Sequence, residues 1–353
     1  MRRLRSKQSF IIDTVKTRVG LVPHVSSKLS AHDHWGTFKA RWGVGRMKYA
    51  VAPGLYAIGE PDASSPVLVT ANYKMSFDSL RSALRGRSAW ILVLDTHGIN
   101  VWCAAGKGTF GTQNLVNQLE AWRVRELVDH RTLILPQLAG PGVSAHEVKR
   151  LSGFQVVYGP VRASDLSDFL DTGNKGTPKM RRKTFDLWER IVLIPMELVD
   201  AFKVAAWVIP VFVLCSGFGG AGAYWSNVAT AGIFAAFALT AAIVAGTVLT
   251  PIFLPWLPGR AFSAKGLVPA VIIFVLLAIV RADAWKDWPG RLEMCGWFLL
   301  VSAISTYLAM NFTGASTYTS LSGVKKEMRC ALPLQIIGAA MGVLLWLTAR
   351  LSM

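Results

Sequence analysis

Residues 89–107 read AWILVLDTHGINVWCAAGK, a run that passes from a strand pattern through a turn to a helix pattern. The run AWILVLD (89–95) is short and apolar on both faces, as expected of a strand inside a parallel sheet. Gly98 turns the chain, and NVWCAAGK (100–107) follows directly. A segment in this position lies over the carboxyl end of a strand, where open α/β sheets bind their ligands.

Three further apolar runs have the same character and are separated by helical patterns. The strand candidates are PVLVTAN (66–72), TLILPQL (132–138) and FQVVYGP (154–160), and the helix candidates are FDSLRSALRG (77–86), TQNLVNQLEAWRV (112–124) and SAHEVKRLSG (144–153). This alternation predicts a Rossmann-like α/β domain with a parallel sheet over residues 61–175. Residues 1–60 are left unassigned as an N-terminal extension.

The second half of the chain has the composition of a membrane domain. The chain has 353 residues, of which 52% are hydrophobic, and long uncharged runs follow residue 190. Five runs approach the ~20 apolar residues that cross the hydrocarbon core of a bilayer. They lie near 204–223, 228–250, 267–282, 294–313 and 331–350. The sequence therefore predicts an α-helical transmembrane bundle of about five helices over residues 204–353.

Charge predicts how the chain sits in the membrane. Residues 176–203 form a basic linker, in which the amphipathic run IVLIPMELVDAF (191–202) predicts an interfacial helix. The loops after the second and fourth spans are also basic, whereas the other two are uncharged or nearly balanced. The positive-inside rule then predicts a multi-pass inner-membrane protein with a cytoplasmic N-terminal domain and an external C-terminus.

The net charge of +17 indicates an acidic or anionic partner. Most of the excess lies before residue 191, which favours anionic membrane lipids or an acidic ferredoxin-like protein. Nucleic acid is not expected, because the sequence shows no recognition helix and no aromatic-basic interleaving. His32 and His34 could contribute to a metal site, although surface histidines are far more common.

Cys103 is the one cysteine in the first half of the chain. The residues around it are compatible with several kinds of chemistry. A phosphate loop is a weak match, because Gly108 stands where Ser or Thr should follow Lys107. A reactive thiolate would be favoured by a helix N-terminus and by Lys107. A single thiolate also suits a metal whose other positions belong to a macrocycle. The ordinary alternative is a cysteine packed beneath the start of a helix.

NVWCAAGK resembles the cap-helix motif of the HgcA family, the membrane corrinoid proteins of mercury methylation. The segments VTANYKMSFDSLR, ILVLDTHGINVWCAAGKGTFGT, LILPQLAGPGV and GFQVVYGPVRASDL are similar to the corrinoid-binding domain of the corrinoid iron–sulfur protein large subunit. The likeness covers about residues 60–175, and the roughly five spans that follow distinguish the HgcA family.

The resemblance implies a base-off corrinoid (cobalamin) whose cobalt takes Cys103, the catalytic residue, as its lower axial ligand. The cap around the cobalt would comprise Asn100, Val101, Trp102, Ala104, Ala105, Gly106 and Lys107. Further candidates for corrin contacts, from their strand-end positions, are Thr70, Asn72, Thr109, Gly111, Gln137, Ala139 and Gly159. Many cobalamin proteins use Asp-x-His-x-x-Gly instead, but Asn100 replaces the final glycine here, which argues against His97.

The implied function is a corrinoid-dependent methyltransferase that forms methylmercury from Hg(II) and methyl-Co(III). The methyl group would come from a methyltetrahydrofolate-linked donor, and the ferredoxin-like HgcB would supply electrons. Two alternatives stay open. One is a membrane-anchored corrinoid methyl carrier of one-carbon metabolism without mercury chemistry, and the other is a thiol-based metal-handling membrane protein.

Overall fold

The computed structural model describes residues 8–220, 222–315 and 321–353, without the side chains of residues 314, 315 and 321. Residues 1–7 of the unassigned extension and residue 221 of the first expected span lie outside this set. The chain divides into two compact units. The α/β unit runs to Ala40 and from Val44 to Lys183, and the helical unit comprises Arg41–Gly43 and Thr184–Met353.

A seven-stranded sheet forms the centre of the α/β unit. Its strands are β1 (Ile11–Thr17), β2 (Gly20–Val25), β3 (Gly54–Ile58), β4 (Val67–Ala71), β5 (Ala89–Leu94), β6 (Thr132–Leu135) and β7 (Gln155–Tyr158). Its helices are α1 (Ala31–Arg41), α2 (Lys74–Ala83), α3 (Val101–Lys107), α4 (Thr112–Ala121), α5 (Val124–Leu127), α6 (Ala145–Ser152) and α7 (Leu166–Asp171). The strand order is β1-β2-β3-β5-β4-β6-β7.

The four expected strands are confirmed as β4 to β7, and they form the parallel part of the sheet. The expectation of an all-parallel sheet is wrong, because β3 pairs antiparallel with β5 and β1 pairs antiparallel with β2, although β2 and β3 pair parallel with each other. The sheet is therefore mixed. Its first three strands come from residues 11–58, which the sequence patterns left unassigned.

Burial on both faces of β5 explains its continuous apolar run. Trp90, Leu92 and Leu94 belong to the hydrophobic cluster on one face of the sheet. Ala89 and Ile91, with their neighbour Val93, belong to the cluster on the other face. Side chains of a strand alternate between faces, so a strand between two layers must be apolar at every position.

Helices make up the second unit. They are α8 (Leu187–Ile191), α9 (Ile194–Cys215), α10 (Tyr224–Phe253, with two π-helical turns), α11 (Phe262–Val280), α12 (Trp288–Asn311) and α13 (Leu321–Ser352). Five are long and apolar enough to cross a membrane by length and composition, which agrees with the number and positions of the expected spans. Residues 194–202 of the expected interfacial segment belong to the continuous helix Ile194–Cys215, and their position at a membrane interface stays a prediction.

Small residues let three of these helices approach closely. A Cβ added at Gly266 would lie 2.5 Å from the Cβ of Ala309, and one at Gly246 would lie 2.7 Å from the carbonyl oxygen of Ser305. The Ser305 hydroxyl donates a hydrogen bond to the carbonyl of Gly266 at 2.8 Å. Close backbone approach with a polar contact between helices is typical of helix packing in membranes.

Candidate functional site

Asn72, the residue after β4, holds the turn that joins β5 to α3. Its Oδ1 accepts hydrogen bonds from the amides of Thr96 (3.1 Å) and Gly98 (2.9 Å), and its Nδ2 donates to Oδ1 of Asp95 (3.1 Å). The side chain is buried. The side-chain amide of Asn72 thus stabilises the turn, because its oxygen and its nitrogen both form hydrogen bonds with residues of that turn.

The helix α3 carries the NVWCAAGK motif and has two distinct ends. Oδ1 of Asn100 accepts a hydrogen bond from the Cys103 amide at 2.9 Å, which satisfies one of the free N–H groups of the first turn. Gly108, with φ of +80°, ends the helix in the left-handed conformation that glycine adopts without strain. The short helix is therefore defined by its own cap residues.

The two faces of α3 have different roles. Val101, Ala104 and Ala105 are buried in the core cluster, whereas Cys103 and its neighbours Gly106 and Lys107 are exposed. The interpretation of Cys103 as a cysteine packed beneath the start of the helix is therefore excluded. The thiol of Cys103 lies on the open face, where it is available to a ligand.

Neither backbone conformation nor close packing with described residues requires a glycine at position 106. A Cβ added there would meet no described atom within 4 Å, and its φ lies outside the left-handed region. Glycine inside a helix costs about 1 kcal/mol relative to alanine. The residue leaves open space one turn after Cys103, which a flat ligand could occupy.

The loop after β6 packs against the back of α3. A Cβ at Gly142 would lie 2.9 Å from Cα of Ala105, so glycine is needed for this approach. Ala139 is fully buried in the same cluster as Ala104 and Ala105. Ala139 therefore supports the helix from beneath.

A cavity of about 420 Å³ lies within the α/β unit at the carboxyl ends of β4, β6 and β7. Its wall is mostly apolar, as in many small-molecule sites. Of the residues that the sequence indicated, this cavity brings together Thr70, Asn100, Val101, Trp102 and Gly159. The remaining members of the motif lie beside or behind it.

Two parts of the cavity wall were missed by the sequence analysis. Tyr73, Met75, Ser76 and Ser79 line it from the start of α2, and Lys183 lines it from the linker. The available signal was the pair of serines three residues apart, which places both hydroxyls on one face of a helix after a strand.

Three other candidates lie around α3 and do not line the cavity. Oε1 of Gln137, just after β6, is buried and has no hydrogen-bond partner among the described residues. The Thr109 hydroxyl donates to the carbonyl of Ala104 at 3.4 Å. Gly111 precedes α4, and a Cβ there would lie 2.9 Å from the carbonyl oxygen of Gly108.

The histidine alternatives do not form metal sites within the described residues. The His97 side chain is 75% exposed, in a residue with φ of +56°, and its Nδ1 lies 3.8 Å from Oδ1 of Asp95. His32 and His34 are exposed on α1. No group of three or more His, Cys, Asp or Glu side chains able to hold a metal occurs in the described parts of the chain.

A buried ion cluster fixes the start of α2, which lines the cavity. Nζ of Lys74 lies 2.7 Å from Oδ1 of Asp33 and 2.6 Å from Oδ2 of Asp78. Arg81 contacts the same two carboxylates at 2.8 Å and 2.7 Å. Burial acts to raise the pKa of Asp33, but the hydrogen bonds from Lys74 and Ser30 outweigh it and hold the pKa below its ordinary value.

The α/β unit is similar to subunits of CO dehydrogenase/acetyl-CoA synthase and acetyl-CoA decarbonylase/synthase. Residues 45–170 match the family model for the CO dehydrogenase/acetyl-CoA synthase delta subunit. This segment contains β3 to β7, α3 and every residue of the cavity wall except Lys183. The two serines and the cap helix therefore all lie in the part of the chain that has relatives.

Curated relatives point the same way. The gamma subunits of the acetyl-CoA decarbonylase/synthase complex from Methanopyrus kandleri and Methanocaldococcus jannaschii are each 33% identical to this chain, over 128 and 127 residues. The alignments cover 36% and 35% of this chain and 27% and 26% of the relatives. The chain thus spans about a quarter of the length of the relatives that it matches. These matches support the resemblance to corrinoid-binding proteins and do not single out the HgcA family.

Proposed function

We propose that the α/β unit binds a corrinoid and carries methyl groups on it, and that the helical unit anchors this carrier in a membrane. The observation that carries the proposal is the exposed thiol of Cys103 on a capped helix at the carboxyl edge of the sheet. The similarity of residues 45–170 to subunits of CO dehydrogenase and acetyl-CoA synthase complexes supports it.

The residues of the site fit a corrinoid in three respects. Cys103 offers a soft donor suited to a transition metal. The open space at Gly106 admits a flat macrocycle next to that donor. The buried Oε1 of Gln137 has no hydrogen-bond partner among the residues that the structure describes, and the amide side chains of a corrin ring would supply a donor.

The cavity beside α3 suits a different part of the same cofactor. Its volume of about 420 Å³ is in the range of small-molecule sites and accommodates an aromatic base. Thr70, Ser76 and Ser79 add hydroxyl groups to a mostly apolar wall. Thr70, Ser76 and Ser79 would hold an aromatic base of the cofactor here, and Cys103 would be the metal donor that the chain itself supplies.

In this proposal the chain's own residues position the donor. When bound, the corrinoid supplies a metal centre that accepts and releases methyl groups. Asn100 fixes the first turn of α3, so it sets the position of the Cys103 thiol. The buried residues Val101 and Ala104 exclude water behind the helix. Lys107, exposed on the same helix, balances the negative charge of the thiolate.

Transfer of the methyl group to Hg(II) is a second candidate function. It is favoured by the cap-helix motif NVWCAAGK together with five helices able to cross a membrane. A Cys103 thiolate would donate charge towards the transferred group, which suits a soft, electrophilic acceptor. In this case a methyltetrahydrofolate-linked donor and the ferredoxin-like HgcB would serve as partners, with the α/β unit in the cytoplasm.

The test is a visible spectrum of the purified full-length protein loaded with cobalamin. We expect the wild type and Cys330→Ala, an exposed thiol elsewhere, to give the same spectrum. Cys103→Ala should retain the corrinoid but lose the thiolate-dependent absorption. Failure of the wild type to bind corrinoid would refute the proposal.

Product analysis separates the two candidate functions. The loaded protein is incubated with a reductant and a methyl donor, with or without Hg(II). Methylmercury formed by the wild type and not by Cys103→Ala would establish the second candidate. Methyl loading of the protein without methylmercury would leave the carrier function and exclude mercury as acceptor.

A further inference from the structure

We infer that the α/β unit rests on an anionic membrane surface through one patch, formed by Trp35, Phe38, Val44 and Met47 with the basic residues around them. We call it the α1 patch. It lies at the end of α1 and in the turns that follow. The inference rests on the proposed membrane anchor, and it is independent of corrinoid binding.

Large apolar side chains are unusually exposed in this stretch. The exposed fractions are 57% for Trp35, 49% for Phe38, 62% for Val44 and 65% for Met47. Contiguous exposed apolar surface usually marks an interaction site. Most of the patch precedes residue 45, where the similarity to the CO dehydrogenase/acetyl-CoA synthase family begins.

The backbone beneath the patch is held firmly. The hydroxyl of Tyr49 donates to the carbonyl of Asp33 at 3.0 Å, and the ring of Tyr49 occupies the space where Gly36 has no side chain. The amide of Val44 donates to the carbonyl of Lys39 at 2.9 Å. Trp35 and Phe38 stack with their ring centroids 5.2 Å apart. The apolar groups are therefore presented on a fixed surface.

The charge around the patch is basic. The α/β unit contributes Lys39, Arg46 and Lys48 to this stretch, whereas the single acid of residues 31–48, Asp33, is buried in its ion cluster. Basic residues next to a membrane attract anionic headgroups. Tryptophan, with an apolar body and a polar N–H, is enriched at the same depth. This combination complements an anionic lipid surface.

The tether makes the membrane the nearest available surface. Only residues 184–186 separate the end of the α/β unit from Leu187, where the first candidate span begins. Three residues reach at most about 11 Å. The α/β unit therefore stays next to the bilayer that its own chain enters, and lipid is always present at high local concentration.

The test uses the full-length chain in nanodiscs of phosphatidylcholine with phosphatidylglycerol. The four native cysteines are replaced by serine, and an environment-sensitive fluorophore is attached at Met47→Cys or, as control, at Leu151→Cys on α6. We expect emission at position 47 to shift to shorter wavelength and to be quenched several-fold more strongly by spin-labelled lipid than emission at position 151. Equal quenching at the two positions would overturn the inference.

Charge dependence supplies the second arm. Adding Lys39→Gln and Lys48→Gln to the labelled protein should weaken quenching at position 47 in the anionic discs, and discs of phosphatidylcholine alone should do the same. Quenching unaffected by both changes would refute an anionic lipid surface. Shielding of position 47 only after a soluble protein is added would show a protein-docking site instead. Failure of the chain to enter discs would overturn the membrane anchor of the proposed function and, with it, the inference that rests on that anchor; equal quenching in discs that contain the protein would overturn the inference alone.

Discussion

Oδ1 of Asn100 lies 2.9 Å from the amide nitrogen of Cys103, so the first residue of the motif caps the helix that presents the thiol. Asn100→Ala removes this acceptor and should reduce the free energy of unfolding of the α/β unit by about 1 kcal/mol. Hydrogen exchange of the α3 amides should increase. Asn100→Asp keeps the acceptor and should restore slow exchange; equally fast exchange in both variants would contradict the cap.

Asn72→Ala tests the support of the turn before α3. The amides of Thr96 and Gly98 would lose their common acceptor inside the protein, and we expect a loss of about 2–4 kcal/mol in the free energy of unfolding. Chemical denaturation followed by a probe in the α/β unit measures this change. The exposed substitution Asn117→Ala should change stability by no more than about 0.5 kcal/mol. Similar effects of the two variants would refute the role of Asn72.

Gly106 should show opposite effects on stability and on ligand binding. Gly106→Ala adds a side chain in open space and should stabilise the corrinoid-free protein by about 0.5–1 kcal/mol. The added methyl group would occupy the space where we propose that the corrinoid binds, so the affinity for corrinoid should fall. The larger side chain of Gly106→Leu should lower the affinity further. Thermal unfolding without corrinoid and titration with cobalamin measure the two effects. Unchanged affinity in the leucine variant would place the ligand elsewhere.

The ion cluster around Asp33 should make the α/β unit sensitive to acid. Burial acts to raise the pKa of Asp33, but hydrogen bonds from Lys74 and Ser30 outweigh it, so the folded pKa is lower than the unfolded one. Such a group stabilises the fold fully above the unfolded pKa of about 4 and loses this contribution as pH falls towards the folded pKa. Unfolding between neutral pH and pH ~3 measures the loss.

Asp33→Asn should remove much of that acid dependence. Because Lys74 and Arg81 would then share the carboxylate of Asp78 as their one buried counter-charge in this cluster, the variant should lose about 3–5 kcal/mol at neutral pH. Glu120→Gln, at an exposed position on α4, is the control and should retain the wild-type pH profile. A wild-type profile in Asp33→Asn would show that the cluster does not control acid stability.

Gly266→Ala tests the close packing in the helical unit. The added methyl would meet the Cβ of Ala309 at 2.5 Å, and the strain should cost about 1–3 kcal/mol. Gly338→Ala is a matched control, because its Cβ would lie 3.9 Å from the nearest side chain, that of Ala303. Thermal unfolding in detergent should show a lower Tm for the first variant alone. An equal Tm in the two variants would show that the packing at Gly266 accommodates a methyl group without strain.

The sequence predicted the strands and helices whose patterns are local. The run 89–95 is apolar at successive positions because both faces of β5 are covered, and such a run is visible without tertiary structure. The five apolar helices are equally visible from their length. The strand β3 was missed because its antiparallel partner β5 lies some thirty residues later, so no local pattern indicates that pairing.

The sequence indicated the residues of α3 but not the other residues that line the cavity. Cys103 stood out as a lone cysteine in a specific motif, and the capping residues on both sides of it follow local rules. The ion pair between Asp33 and Lys74 joins residues 41 positions apart, so no local sequence pattern predicts it. The same is true of Asn72, whose side chain points into a turn more than twenty residues away.

The sequence by itself determined that Cys103 lies in the first turn of a short helix after a buried strand, and that five apolar helices follow, because turn residues, caps and apolar runs act over a few neighbours. Tertiary structure decided that the sheet is mixed, that Asn72 serves the turn and that Cys103 and Gly106 share an exposed face. These outcomes depend on burial and on hydrogen bonds between residues that are distant in the chain. Such contacts form only when the α/β unit folds.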